Sequence, residues 1–114
     1  MIRVILESPF SDDCPKAHAA NVVYAQRCVA HSLSLGEAPL ASHLLYTQPH
    51  ILDDSDPAQR AVGIAAGHAW YSLAERCVVY EDRDISDGMR EGMERAMFYN
   101  VPIIPRRILN IDHG

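Results

Sequence analysis

Short apolar runs alternate with longer segments of helical character, and this alternation is the feature that most constrains the fold. Four runs are short enough to be strands, at residues 2–6, 39–46, 77–80 and 101–104. Between them lie three predicted helices, at residues 16–35, 57–73 and 86–99. The order β-α-β-α-β-α-β predicts an α/β protein in which helices cover both faces of a parallel sheet. We therefore expect a three-layer α/β/α fold of the Rossmann or flavodoxin-like kind, with a sheet of about four strands.

The ends of the predicted elements have clear signals. Gly36 follows the first helix as a C-cap, and Asp56-Pro57 opens the second with an N-cap followed by proline. Pro102 and Pro105 flank the last strand, which places that strand at an edge of the sheet. With no linker or repeat in the sequence, residues 1–114 are expected to form one domain.

Composition excludes several classes of protein. A net charge of −5 argues against wrapping nucleic acid, which requires an excess of Lys and Arg. No apolar run approaches the roughly 20 residues that cross a bilayer. The three cysteines form an odd, widely spaced set that suits a reducing compartment. We expect a cytoplasmic protein that acts neither on nucleic acid nor at a membrane.

Candidate binding residues lie where the predicted strands end, because open parallel sheets bind ligands at the carboxyl ends of their strands. Phe10 could stack on a base, and Ser8 could donate to a phosphate or ribose. Ser86 and Gly88 could direct backbone N–H groups at an anion. The predicted ligand-binding residues are Ser8, Pro9, Phe10, His43, Asp53, Asp54, Ser86, Gly88 and Met89. Each of them would also fit an ordinary turn or helix cap.

A metal site is not expected. His43, His50, Asp53 and Asp54 are near one another in sequence, but their spacing matches no zinc pattern. A polar loop that faces a ligand is the preferred interpretation, and no cofactor is predicted.

Several short motifs together resemble a known superfamily. The first strand ends in Ser8-Pro9, an Asp-containing loop follows the second strand, Ser86-Asp87-Gly88-Met89 precedes the third helix, and Asn100-Val101-Pro102-Ile103 follows it. This layout resembles the nucleoside 2-deoxyribosyltransferase-like superfamily, which includes deoxynucleoside monophosphate N-glycosidases. It is closest in style to small bacterial and phage members.

The resemblance also implies a nucleophile that this chain lacks. In the superfamily, a glutamate on the helix after the third strand attacks C1′ of the sugar and displaces the base, as in a retaining glycosidase. Gly92 occupies that position here. Helical geometry predicts that Glu91 faces solvent, four residues before Arg95 and able to pair with it. The missing side chain at Gly92 is expected to leave open space beside the ligand.

Two functions follow from this pattern, and binding is preferred to catalysis. The first is sensing or sequestration of a small nucleotide-derived ligand. One form would be a phage sponge that removes a host signalling nucleotide in the host cytoplasm. The alternative is an N-glycosidase or 2-deoxyribosyltransferase that uses another carboxylate. Its weak catalytic candidates are Asp53, Asp54 and Asp82. A role in protein interaction also stays open.

The second predicted helix favours a homo-oligomer. Its spacing places Val62, Ala66, Ala69 and Leu73 towards the sheet, so that Ile64 and Tyr71 face outward. Gly63 and Gly67 would form a shallow groove that admits a second helix. We expect a symmetric contact through helix 57–73, with Ile64, Gly67 and Tyr71 at its centre.

Overall fold

The computed structural model describes residues 1–109, in which four parallel strands form one sheet. The order across this sheet is β2-β1-β3-β4. The strands are β1 (Ile2–Glu7), β2 (Glu37–Leu40), β3 (Arg76–Tyr80) and β4 (Ile103–Arg106). β1 pairs with β2 on one side and with β3 on the other, so both central strands are hydrogen-bonded along both edges. The predicted α/β/α class is confirmed. Residues 110–114 of the predicted domain lie outside the described residues.

Helices cover the two faces of this sheet. They are α1 (Pro15–Ser34), α2 (Ser42–Leu45), α3 (Pro57–His68) and α4 (Asp87–Phe98), with a 3₁₀ turn at Tyr71–Leu73. Side chains alternate along the strands, as the two-residue period of a strand requires. Val4 and Leu6 join Tyr24 of α1 in one core, and Ile5 joins Met89 of α4 in the other.

Predicted caps are found at three helix ends. Gly36 has a φ of +79°, the left-handed conformation that ends α1. Asp56 accepts a hydrogen bond from the backbone N–H of Ala58 at the start of α3. Ser86 accepts one from the N–H of Met89 at the start of α4. β4 lies at an edge of the sheet, as expected, but it begins two residues later than predicted, so that Pro105 lies within the strand and not beside it.

The prediction of one strand over residues 39–46 is wrong. β2 ends at Leu40, where its pairing with Ile5 of β1 also ends, and residues 42–45 form α2. An apolar run of eight residues has no periodicity that distinguishes a strand from a buried helical turn. α2 turns His43 towards the end of β1, where its imidazole meets Ser8.

The predicted orientation of helix 57–73 is also wrong. α3 ends at His68. Val62 and Leu73 are exposed, whereas Tyr71 is buried. Gly67 is buried within the chain, because a Cβ there would lie 2.8 Å from Cβ of Ser42 in α2. Gly67 and Tyr71 are therefore covered by their own chain and cannot form the predicted interface. Ile64 remains partly exposed.

Within residues 1–109, none of the helices has the length and apolar character needed to span a membrane.

Candidate functional site

A cavity of about 340 Å³ opens at the carboxyl ends of β1 and β3. The loop after β1 lines one side with Ser8, Phe10 and Ser11, and α2 contributes His43. α3 lines the opposite side through Arg60, Ile64 and His68, and the first turn of α4 completes the wall from Ser86 to Met89. This is the end of the sheet at which a parallel α/β fold binds ligands.

Glu7, the last residue of β1, brings a carboxyl to this cavity. The hydroxyl of Tyr71 donates a hydrogen bond to its Oε1. Among the described residues, no ion pair joins Glu7 to a cation. Burial raises the pKa of Glu7 to about 7, although the Tyr71 hydrogen bond acts in the opposite direction. The carboxyl can therefore hold or release a proton near neutral pH.

Gly92 provides the room that this carboxyl occupies. A Cβ at Gly92 would lie 2.6 Å from Cδ of Glu7 and 2.6 Å from Oη of Tyr71. These distances are far below van der Waals contact, so residue 92 can be glycine without leaving a void. The expectation of open space at Gly92 is thus wrong, because Glu7 and Tyr71 fill it.

Ser8 and His43 form a polar pair beside Glu7. Oγ of Ser8 lies 2.8 Å from Nε2 of His43. Burial lowers the pKa of His43 to about 4, although the charge of Asp54 partly opposes this effect. At neutral pH the imidazole is uncharged, so one of its nitrogens can accept a proton.

Phe10 is held by two histidines at the cavity. Its ring lies edge-on to His18 at a centroid distance of 4.8 Å and to His43 at 5.7 Å. Its carbonyl accepts hydrogen bonds from the Asn21 amide, at 3.2 Å, and lies 2.9 Å from Nδ1 of His18. The two histidine rings thus pack against the Phe10 ring, and the hydrogen bonds hold its backbone.

Asp54, Arg60 and Ser11 join the loop after β1 to α3. Ser11 donates to Oδ2 of Asp54 at 2.8 Å, and Nη1 of Arg60 donates to Oγ of Ser11 at 2.7 Å. The same guanidinium nitrogen lies 3.4 Å from Oδ2 of Asp54. These three residues border the cavity, and in them the carboxylate of Asp54 and the guanidinium of Arg60 already have partners.

Most of the predicted binding residues meet at this cavity. Ser8, Phe10, His43, Asp54, Ser86, Gly88 and Met89 line it, whereas Pro9 and Asp53 do not. Pro9 is buried within the loop that follows β1. Asp53 accepts hydrogen bonds from the N–H and hydroxyl of Ser55, which closes a local turn.

Asp82 lies away from the cavity, and Glu91 lacks the partner that the sequence predicts for it. Asp82 is on the α1 side of the sheet, where it accepts hydrogen bonds from the Tyr24 hydroxyl and the Ile108 N–H. Glu91 is exposed, as predicted, and borders the cavity mouth. Across residues 1–109 it makes no ion pair with Arg95, contrary to expectation.

The sequence interpretation missed Glu7 and Tyr71 as site residues. A carboxyl directly after the apolar run Val4-Ile5-Leu6, at the last position of β1, was the available signal for Glu7. Tyr71 was assigned to the outer face of a longer helix, so no local pattern connected it with the site. For residues 1–109, no group of three or more His, Cys, Asp or Glu side chains is placed to hold a metal ion.

Comparisons with known proteins support the fold assignment. A family model with the description "Domain of unknown function (DUF7768)" matches residues 2–106. No curated protein sequence matches the chain significantly. A solved structure of a 2-deoxyribosyltransferase from the psychrotolerant bacterium Bacillus psychrosaccharolyticus is similar, with a TM-score of 0.64 and 13% sequence identity. The similarity covers 92% of this chain and 72% of that protein, which is described as a biocatalyst for nucleoside synthesis. At this identity the likeness establishes a shared fold.

Proposed function

We propose that this chain, which belongs to the DUF7768 family, binds a small nucleoside-derived molecule in the cavity at the ends of β1 and β3. The observation that carries the proposal is the cavity itself, which brings an aromatic ring, hydroxyls and a buried carboxyl together at one end of the sheet. The 2-deoxyribosyltransferase with a similar fold is described as serving nucleoside synthesis, which supports this class of ligand.

The volume and the lining residues of the cavity support a ligand of the size of a nucleoside. Cavities that bind small molecules range from about 300 to 1,000 Å³, and this one has about 340 Å³. It therefore suits a nucleoside better than a dinucleotide. Phe10 offers a ring for contact with a base, and Ser8 and Glu7 offer hydrogen-bonding groups for a sugar.

The charge of the lining favours a ligand without phosphate. Four carboxyls border the cavity, those of Glu7, Asp54, Asp87 and Glu91, and Arg60 is the one guanidinium among its described lining residues. Arg60 already lies against Asp54. Sequestration of a host signalling nucleotide by a phage sponge is the other form of the proposal. Such ligands carry several negative charges, which this lining would repel.

Thermal unfolding in the presence of ligands tests the proposal. Deoxynucleosides and ribonucleosides at 1 mM should raise the melting temperature by mass action, and more than their 5′-monophosphates or NAD. Phe10→Ala should abolish the increase. Phe98→Ala is the matched control, because Phe98 is 72% exposed and outside the cavity lining. The proposal fails if nothing in the panel raises the melting temperature.

The second candidate function is cleavage or transfer at an N-glycosidic bond. Of the three predicted carboxylates, Asp53 and Asp82 lie outside the cavity lining, and Asp54 is bound to Ser11 and Arg60. Glu7 is the carboxyl whose geometry favours this function, because it borders the cavity without a cationic partner and, unlike the exposed Glu91, is partly buried and held by Tyr71.

A further inference from the structure

We infer that Glu7 is the general acid of this cavity, donating a proton to the departing base as the N-glycosidic bond of a bound nucleoside is hydrolysed. The inference rests on the proposed function, because it requires a nucleoside-derived ligand beside Glu7. It differs from the expectation drawn from Gly92, since the reacting carboxyl comes from β1 and not from α4.

The two oxygens of Glu7 are in different situations. Oε1 accepts the hydrogen bond from Tyr71. Oε2 makes no hydrogen bond to any residue in 1–109, and it is not among the buried atoms left without a partner. Since Glu7 lines the cavity, Oε2 is the oxygen that a ligand can reach. Tyr71 thus fixes the carboxyl while one oxygen stays available for proton transfer.

The surroundings of Glu7 keep the carboxyl protonated up to neutral pH. Its titratable neighbours are Tyr71 on the 3₁₀ turn, Cys77 on β3 and the uncharged His43 of α2, with Arg95 of α4 acting on the Tyr71 hydroxyl. Burial raises the pKa of Cys77 to about 12 and that of Tyr71 further, so both are neutral. Burial also lowers the pKa of His68, whose ring lies against Tyr71. A general acid works best when its pKa is near the working pH, and that of Glu7 is raised to about 7.

Gly92 and Tyr71 are positioning residues for this carboxyl. A side chain at residue 92 would displace the Glu7 carboxyl from its place against α4. Loss of the Tyr71 hydroxyl would free Oε1 and raise the pKa of Glu7, because that hydrogen bond lowers it. Neither residue needs to touch the reacting bond to affect the reaction.

The reaction balances with water as the only co-reactant. The Oε2 proton of Glu7 passes to a nitrogen of the base as the C1′–N bond breaks, and the bonding electrons leave with the base. A water oxygen then bonds to C1′, and its proton returns to the Glu7 carboxylate. The products are free base and free sugar, and Glu7 is protonated as at the start. While it is ionised, the carboxylate also stabilises positive charge that develops on the sugar.

Release of free base, followed by chromatography, tests the inference. The substrates are the four common deoxynucleosides and the four ribonucleosides at 1 mM, and ligand binding is measured in parallel by thermal shift. We expect the unmodified protein to release base from at least one of them. Glu7→Gln should lower the rate by about 100-fold or more while retaining the thermal shift. Glu94→Gln is the matched control, since Glu94 is exposed on α4 and outside the cavity lining, and it should keep the full rate.

The pH profile separates an acid from a merely structural carboxyl. The rate should fall as pH rises through about 7, the pKa of Glu7, because the protonated form is the active one. Tyr71→Phe should move this fall to higher pH, since it removes the hydrogen bond that lowers the Glu7 pKa.

The outcomes distinguish this inference from the proposed function. A panel that neither binds nor releases base contradicts both. Nucleosides that raise the melting temperature but release no base would overturn the inference and leave the binding function in place. Base release that persists in Glu7→Gln, or a profile that Tyr71→Phe leaves unchanged, would also overturn it.

Discussion

The carboxyl of Glu7, at the end of β1, occupies the volume that a side chain on Gly92 of α4 would need, with its Cδ 2.6 Å from the ideal Cβ position. A central strand and a surface helix thus contribute to the same point of the cavity. The strand contributes the carboxyl of Glu7, and the helix leaves room for it because residue 92 has no side chain.

Gly92→Ala should destabilise the protein. The new methyl group would collide with Glu7 and Tyr71, and overpacking of this kind costs about 1–3 kcal/mol. The helix propensity of alanine offsets less than about 1 kcal/mol of that cost. Chemical denaturation measures the difference. Gly88→Ala is the control, because a Cβ there would meet only Oγ of Ser86, at 4.0 Å. Equal stability of Gly92→Ala and the unmodified protein would contradict the packing described here.

Replacing Glu7 should make the protein more stable at alkaline pH. The pKa of Glu7 is raised from 4.5 to about 7 by burial, so the folded state binds more protons than the unfolded state between these values. Stability therefore falls as pH rises from about 4.5 through 7. At pH 8, Glu7→Gln should stabilise the folded protein by on the order of 3 kcal/mol, whereas at pH 4 it should change stability little. Denaturation of both proteins at the two pH values measures this, and a gain independent of pH would contradict the assignment.

Acid should destabilise the protein through Glu37. This fully buried carboxylate accepts hydrogen bonds from Nη1 and Nη2 of Arg106, at 2.7 and 2.6 Å, and from Ser32 and Arg76. The Arg106 hydrogen bonds are the main cause that lowers the pKa of Glu37 to about 2. Its contribution to stability is complete above about 4.5 and is lost as pH falls towards 2.

Arg106→Met tests this ion cluster. It leaves the buried carboxylate without its principal partner, which should cost about 3–5 kcal/mol at pH 7. Arg107→Met is the matched control, because Arg107 is largely exposed and its ion pair with Glu81 is worth less than about 1 kcal/mol. Denaturation midpoints at pH 7 and pH 3 measure both effects. Similar losses in the two variants would contradict the importance of Glu37.

The predicted homo-oligomer stays a proposal, with a corrected surface. Gly67 and Tyr71 are covered, but Ile64 of α3 and Tyr99, which follows α4, border a shallow apolar groove and are partly exposed. Light scattering should report at least twice 12.7 kDa at micromolar concentration. Ile64→Glu should lower that mass, whereas Leu33→Glu, at an exposed position of α1, should not. A monomeric mass for the unmodified protein would end the proposal.

The fold could be predicted because its signals are local. The caps at Gly36, Asp56 and Ser86 and the prolines in and beside β4 act within a few residues of their own position. Alternation of the elements then leaves few arrangements, since crossovers between parallel strands are right-handed. The signals failed where apolar runs lacked a period, at residues 39–46, and where small residues made both faces of a helix alike, at 57–73.

The sequence predicted where the candidate site lies, but not all of the residues that form it. Strand ends predicted its position, and seven of the nine predicted binding residues line the cavity. The contact between Glu7 and Tyr71 joins residues 64 positions apart, so it depends on how α3 and the 3₁₀ turn lie over the sheet. A glycine in a sequence gives no indication of which side chain will fill the space beside it.

The two elements on either side of the cavity, β1 and α3, should differ in how often they unfold locally. β1 is hydrogen-bonded to a strand on each side, whereas α3 buries only Gly67 and packs chiefly on α2. Amide protons of β1 should therefore exchange with solvent only when the whole protein unfolds, and those of α3 should exchange through local opening. Glu7 would then stay fixed on one of the two central strands, while the opposite wall of the cavity opens locally.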